Sequence, residues 1–267
     1  MEFSPVCSDD LQLISQLTPP GWTDVEEVFT RYLKMSEVLT LKLKEDEQII
    51  GLGAAICLGD SAWLAHIIVD KNKRGRGLGF QIVSALLAQL KTMGIEKVSL
   101  LATEEGAPVY RRAGFVTTAA YQYFKSPGDF LSSKTSRFLR PFDDRDQDEI
   151  VKMDRAFSGE DRSGLLLRYL SEALIFEEDS TILGYYLPQW GEGLIVAQTT
   201  EAGTSLMLEK AKGNGGFGVP EGNQIAIDWL ERQGFVRQDK YLQRMSLGEP
   251  PKWKADWCYS RIGGNLG

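Results

Sequence analysis

The chain has 267 residues, enough for one large or two ordinary domains, each able to bury a core of its own. Its 30 Lys and Arg against 37 Asp and Glu leave a net charge of −7, which argues against nucleic acid as the main partner and weakly favours a cationic one. Apolar runs break within about 10 residues, too soon for a membrane-spanning helix, and residues 1–10 lack a basic start and an apolar signal core, so the cytoplasm is the expected location and no membrane partner is expected.

In chain order, Gly21-Trp22-Thr23-Asp24 precedes an amphipathic helix, and residues 39–44 and 49–58 read as the strands of a hairpin. Cys57 falls in the second of these as a small apolar residue. Residues 63–69 form a strand with Ile67, Ile68 and Val69 β-branched in a row, and Ile82, Val83, Leu86, Leu87 and Leu90 then recur at helical spacing. Between the two periods lies Arg74-Gly75-Arg76-Gly77-Leu78-Gly79-Phe80. A strand at 97–102 and a helix within 103–115 follow, then a strand at 121–125, a turn at 126–129 and a linker with Ser-Ser-Lys-Thr-Ser at 132–136. Beyond it, 142–157, 165–174 and 201–212 read as helices and 180–187 and 193–198 as strands. Residues 223–235 repeat the pattern of 103–115, both ending in Gly-Phe.

The glycine-rich loop after the 63–69 strand opens a helix, whose free N–H groups and partial positive charge suit a phosphate or pyrophosphate. It contains no GxxxxGK[ST]. A dinucleotide fingerprint fails as well, because the glycines run G-x-G-x-G and the next strand ends in no acid. Cys7, Cys57 and Cys258 lie far apart without a CxxC, and with the single histidine they build no His/Cys zinc site, so no metal is expected. Asp144-x-Asp146-x-Asp148 lacks the glycine and closing acid of a calcium loop and reads as an acidic helix start. Gly213-Asn214-Gly215-Gly216-Phe217-Gly218 reads as a mobile loop, since no helix clearly starts there.

Arg74-x-x-Gly77-x-Gly79, set between a strand and an amphipathic helix, resembles the acyl-CoA loop of the GNAT (GCN5-related N-acetyltransferase) superfamily. The likeness continues in order over the first 125 or so residues, through the 97–102 strand to Tyr110-Arg111-Arg112-Ala113-Gly114-Phe115, which is similar to the family's Tyr-x-x-x-Gly-Phe signature. It implies an α/β (α+β) chain of two tandem GNAT-like acyl-CoA N-acyltransferase domains, each a mixed, mostly antiparallel sheet flanked by helices. The expected division is a catalytic, acetyl-CoA-binding domain at 1–126, a linker at 127–140 and a degenerate GNAT-like domain at 141–267. In the second copy Thr199-Thr200-Glu201-Ala202-Gly203 stands where the loop would be, and Leu230 stands at the tyrosine position. Gly159-Glu160-Asp161-Arg162 matches a loop typical of the tandem subgroup's second domain; Asp161 and Arg162 either face the acceptor or, the blander reading, form a solvated turn.

The resemblance further implies an N-acetyltransferase that moves an acetyl group from acetyl-CoA, as co-substrate, to a primary amine of an unidentified small-molecule acceptor. The alternative is a non-catalytic acyl-CoA or metabolite binder or sensor. The backbone of Ile67, Ile68 and Val69 is expected to hold the acyl carbonyl and pantetheine arm, and Arg74, Gly75, Arg76, Gly77, Leu78, Gly79 and Phe80 the pyrophosphate. Tyr110 stands where the family places its general acid. The family's base positions, nine and eleven residues ahead of Arg74, are here Ala65 and Trp63. His66 is a base candidate that should point away from them unless a bulge changes the parity. Glu104, in Leu101-Ala102-Thr103-Glu104, and Asp24, Glu26 or Glu27 acting through water are the others. Trp22, Glu26 and Trp63 are placed at the acceptor cleft. A monomer is expected, with a homodimer as the alternative.

Overall fold

The computed structural model describes residues 1–128, 130, 135–213 and 215–267. The chain divides into two compact units: Met1–Val116 with Met245–Pro250 and Leu266, and Thr117–Arg244 with Pro251–Asn265 and Gly267.

The first unit runs β1 (Glu2–Ser4), α1 (Leu11–Ile14), α2 (Val25–Tyr32), β2 (Val38–Glu45), β3 (Gln48–Leu58), β4 (Ser61–Val69), α3 (Leu78–Thr92), β5 (Lys97–Ala102) and α4 (Ala107–Arg112). Strands β1 to β4 are antiparallel neighbours and β5 pairs with β4 in parallel. Asp46 and Glu47 join β2 to β3 with φ of 47° and 66°, the two left-handed residues that a two-residue hairpin matched to sheet twist requires. Ile82, Val83, Leu86 and Leu90 of α3 are buried against Leu41, Leu43 and Ile50 of the sheet, which is why their helical spacing was legible. Met245 is buried in this same core and Leu247 packs against it, so the unit is completed by a segment from near the other end of the chain.

The helix approaches the sheet closely at Gly53. A Cβ there would lie 2.7 Å from Ile82 Cγ2 and 2.9 Å from Leu86 Cδ1. Gly53→Ala therefore overpacks the α3 interface and is expected to cost about 1–3 kcal/mol, read as a lower urea midpoint at unchanged slope.

The second unit runs β6 (Val116–Lys125), β7 (Leu139–Pro141), α5 (Gln147–Ser158), α6 (Ser163–Leu166), β8 (Leu174–Glu178), β9 (Thr181–Leu187), β10 (Leu194–Ala197), α7 (Thr200–Ala211), β11 (Phe217–Pro220), α8 (Gln224–Arg232), β12 (Val236–Leu247) and β13 (Cys258–Ser260). Strands β7, β8, β9, β10 and β13 form one antiparallel sheet, and β11 pairs with β6. The order β8-β9-β10-α7-β11-α8-β12 repeats β2-β3-β4-α3-β5-α4-β6, and the β8–β9 turn again uses two left-handed residues, Asp179 and Ser180, at φ 48° and 61°. The mixed, mostly antiparallel sheets with flanking helices are the expected α/β class.

Several boundaries differ from the expected ones. The units part at Val116 and Thr117 rather than at 126, because Tyr121 to Phe124 of β6 pair with Pro220 to Phe217 of β11. Of the expected linker 127–140, residues 129 and 131–134 lie outside the described residues, and 139–140 belong to β7, where Arg140 binds Asp146 and Glu177. The expected 165–174 helix is α6 followed by a tight turn of 3-10 helix, Leu167–Glu172, with β8 starting at Leu174. In the expected 213–218 loop, Asn214 lies outside the described residues, while Phe217 and Gly218 are strand residues of β11. Asp146 accepts from the Asp143 N–H in the acidic turn that leads into α5 and pairs with Arg140, in keeping with the acidic-turn reading of that run.

Candidate active site

Among the described residues, strands β4 and β5 are paired only at Ser61 with Lys97, Ala62 with Val98 and Trp63 with Ser99. Beyond that point β4 continues to Val69 and β5 to Ala102 without a shared ladder, so the β5-facing backbone edge of residues 64–69 has lost its strand partner. On the other edge the register slips: Leu52 opposes Ile68 and Ala54 opposes Ala65, leaving His66 and Ile67 opposite Gly53. This is a β-bulge, and its first residue, His66, has a left-handed φ of 51°. Ala62 and Leu64 lie in the core beneath α3, and past the bulge Ile67 and Val69 pack on it too, so the parity has switched by one residue.

His66 faces helix α2 and the residues just before it. Its Nδ1 is 3.0 Å from the Tyr32 hydroxyl, and its ring lies edge-on to Tyr32, Trp22 and Phe29 at centroid distances of 5.5, 5.8 and 6.3 Å. Burial, helped by the positive charge of Arg31, pushes the imidazole pKa down to about 4. The ring is neutral at pH 7 and a poor proton acceptor. Because the unfolded chain protonates this residue near pH 6.5 and the folded chain only near 4, its contribution to stability is full above pH 6.5 and is lost as pH falls through that window. Between pH 7 and 5 the protein is expected to lose about 1–2 kcal/mol more stability than a His66→Asn variant, measured by urea unfolding at both pH values.

After β4, Asp70 caps a short turn through the Asn72 N–H at 2.8 Å, and the chain reaches Gly77, which precedes α3 with φ 76° and offers no side-chain cap. Among the described residues the first turn of α3 thus has no capping side chain at its N-cap. Arg76 forks onto Glu45 at 2.6 and 3.1 Å, and Lys73 reaches the same carboxylate at 2.8 Å. Hydrogen bonds from Arg76 and then Lys73 hold the Glu45 carboxyl down at about 2. Arg74 meets Glu105 at 3.4 Å, with both side chains largely in solvent. Exposed pairs of this kind are worth about 0–1 kcal/mol, so an anion can displace them at little cost.

The model of the acetyltransferase (GNAT) domain matches residues 19–126, the segment that holds this strand, bulge and loop. Residues 19–126 therefore carry a GNAT acetyltransferase domain. It is 26% identical over 233 residues to the uncharacterized N-acetyltransferase YitH of Bacillus subtilis (strain 168), covering 82% of each chain. Its fold matches a Pyrococcus horikoshii crystal structure assigned as an acetyltransferase with a TM-score of 0.82, at 19% identity over 100% of this chain and 95% of that one. It also matches a GCN5-related N-acetyltransferase from Anabaena variabilis ATCC 29413 with a TM-score of 0.60, at 12% identity over 92% of this chain and 72% of that one.

Within this GNAT unit Tyr110 sits on α4, half-buried, with its ring edge-on to Phe115 at 6.0 Å. Burial pushes its phenol well above the usual value, so the hydroxyl keeps its proton, and it makes no hydrogen bond among the described residues. Glu104 is exposed on the turn between β5 and α4. Among the described residues no hydrogen bond or ring contact joins Tyr110 or Glu104 to His66. Trp22 is 47% exposed and does border His66, whereas Trp63 is 1% exposed and packs in the core, so the expected cleft-wall role of Trp63 falls away. Asp24 is spoken for as the cap of α2: it accepts from the Glu26 N–H and the Ser15 hydroxyl, both at 2.9 Å, which holds its carboxyl below the usual range. Glu26 is half-buried in the first turn of that helix, and Glu27 pairs with Arg31. Phe29 and Tyr32 were missed as site residues, although Val25, Val28, Phe29 and Tyr32 form an apolar stripe at helical spacing that marks the face turned to β4.

In the second unit, by element order, β10 and α7 hold the places of β4 and α3. There the edge of β10 is taken by β13 (Val196 opposite Cys258, Ile195 opposite Ser260), and the Arg261 N–H beyond it donates to the Gly218 carbonyl of β11 at 2.9 Å. The start of α7 is capped by Thr199, whose hydroxyl accepts from the Ala202 N–H at 3.2 Å. Arg162 is buried, bound to Asp154 at 2.6 and 2.9 Å and set against the rings of Phe157 and Trp190, while Asp161 pairs with Arg155 and Ser163. The solvated-turn reading therefore fits Asp161, and Arg162 is an interior residue.

Proposed function

We propose that the first unit transfers an acetyl group from acetyl-CoA to a primary amine on a small-molecule acceptor in the cytoplasm. The observation that carries this reading is the parting of β4 from β5 at the bulge, with the uncapped α3 start directly downstream. The donor would supply an acyl group activated as a thioester. The free backbone edge of Ile67, Ile68 and Val69 would bind its carbonyl and arm in the manner of an added strand. The amides from Gly75 to Phe80 suit a pyrophosphate, with Arg74 and Arg76 released from Glu105 and Glu45 to flank it. Tyr110 holds a proton suited to the leaving sulfur. Glu104, exposed at the end of β5, is the carboxylate assigned to take the amine's proton through water, since His66 is too weak a base. Trp22 and Glu26, on the α2 side, are assigned to the acceptor.

The second unit is assigned no acyl-CoA site. Its corresponding strand edge is paired with β13, and its helix start is satisfied by Thr199.

The test is to follow free thiol on mixing the protein with acetyl-CoA and a panel of amines. Amine-dependent release supports the enzyme. Acetyl-CoA binding without amine-dependent release supports a second reading, a non-catalytic acyl-CoA binder, which is favoured by the weak basicity of the one buried imidazole in the site.

A further inference from the structure

We infer that His66 is a positioning residue: clamped by Tyr32, it fixes the β4 bulge that presents the acyl-binding backbone. This rests on the acetyl-CoA reading of the first unit and deepens it.

A left-handed φ of 51° is uncommon for a residue with a Cβ, and it persists only where the surroundings impose it. Here the bulge is pinned from both faces of the sheet. On the α3 face, Gly53 opposite it has no room for a side chain, its Cβ position lying 2.7 Å from Ile82 and 3.0 Å from Ile67. On the other face, the imidazole lies edge-on to Trp22, Phe29 and Tyr32 and shares a 3.0 Å hydrogen bond with the Tyr32 hydroxyl. Tyr32 is itself held, because α2 is buried through Val25, Val28 and Phe29 and capped by Asp24. The clamp thus ties a packed helix to the residue where the parity of β4 changes. That change turns Ile67 and Val69 toward α3 and sets the direction of the N–H and C=O groups on the edge that β5 has left. With Nδ1 engaged by Tyr32 and ring edges facing aromatic neighbours, the side chain is built to be held still.

Three variants test this by calorimetric titration with acetyl-CoA and with free CoA. Asparagine tolerates the left-handed region and places an amide oxygen near the position of Nδ1, yet it cannot act as a base. His66→Asn is expected to keep the ratio of acetyl-CoA to CoA affinity within about 2-fold, and the pH profile of thiol release unchanged in shape. Valine disfavours this backbone and cannot bond to Tyr32. His66→Val is expected to weaken acetyl-CoA about 10-fold while leaving CoA affinity in place, and Tyr32→Phe, which keeps the ring and is the safer variant for folding, about 3- to 5-fold. Unchanged ratios in both His66→Val and Tyr32→Phe overturn the inference. So does a His66→Asn protein that binds acetyl-CoA normally but loses transfer together with a limb of its pH profile, the mark of a base. Wild-type protein that binds neither acetyl-CoA nor CoA overturns the acetyl-CoA reading itself, and this inference with it.

Discussion

Gly77→Glu is expected to weaken both acetyl-CoA and CoA by about 5- to 150-fold, with the loss measured by calorimetry. The position has φ 76° and nothing lies within 4 Å of a Cβ built there, so the new side chain meets no steric obstacle in the fold itself. Its stability cost is that of a left-handed backbone in a residue with a Cβ, about 1–2 kcal/mol. Its effect on the ligand is electrostatic. The carboxylate stands at the start of α3, where a pyrophosphate would have to lie, and one pair of like charges about 5 Å apart costs about 1–3 kcal/mol between bulk-water and protein-surface dielectric. Gly77→Ala carries the same backbone strain without the charge and separates the two effects. It is expected to bind within about 5-fold of wild type, since glycine's advantage there is conformational.

Tyr110→Phe is expected to lower the turnover number by about 10²- to 10³-fold while leaving acetyl-CoA affinity unchanged, the signature of a group that matters in the reaction rather than in binding. The hydroxyl has no hydrogen-bond partner among the described residues, so its removal orphans nothing. The ring contact with Phe115 at 6.0 Å survives the change. Burial raises the phenol pKa, so the protonated form is favoured by folding. This contribution to stability is full below the ordinary value of 10.0 and is lost as pH rises above it. The fall in turnover should therefore be constant from pH 6 to 9. A variant with wild-type turnover would remove Tyr110 from the reaction and favour the binder.

The parts of the site that follow from local pattern were legible in the residues. The change of period across Arg74 to Phe80 marked a strand, a loop and a helix start, and α3 and the Gly77 turn stand there. The spacing of Ile82, Val83, Leu86 and Leu90 marked the buried face of that helix. What depended on the path of the backbone was not legible. A strand pattern fixes side-chain alternation only while the register is regular, and the slip at His66 turned Ile67 and Val69 to the α3 face. A bulge is the condition on which His66 faces the same side as Trp63 and Ala65, and only the pairing opposite Gly53 decides it. Long-range partners were hidden too. Glu45 lies far back along the chain from Arg76, and nothing in either segment announces their ion pair. The strand β13 is 3 residues long, too short to carry a period, yet it takes the edge that distinguishes the second unit from the first. Likewise the contribution of Met245 to the first core is invisible in a reading that cuts the chain at a linker.

The claim at the centre of this account is that one unit holds the acyl donor, on the edge that β5 leaves and on the start of α3. The most direct measurement is a titration of ¹⁵N-labelled protein with acetyl-CoA, followed through assigned backbone amides. The account predicts that shifts concentrate at Ile67, Ile68 and Val69 and from Gly75 to Phe80, while Ile195, Val196 and residues 199–203 stay in place. Shifts confined to β10 and the start of α7, with the first loop unmoved, would contradict it.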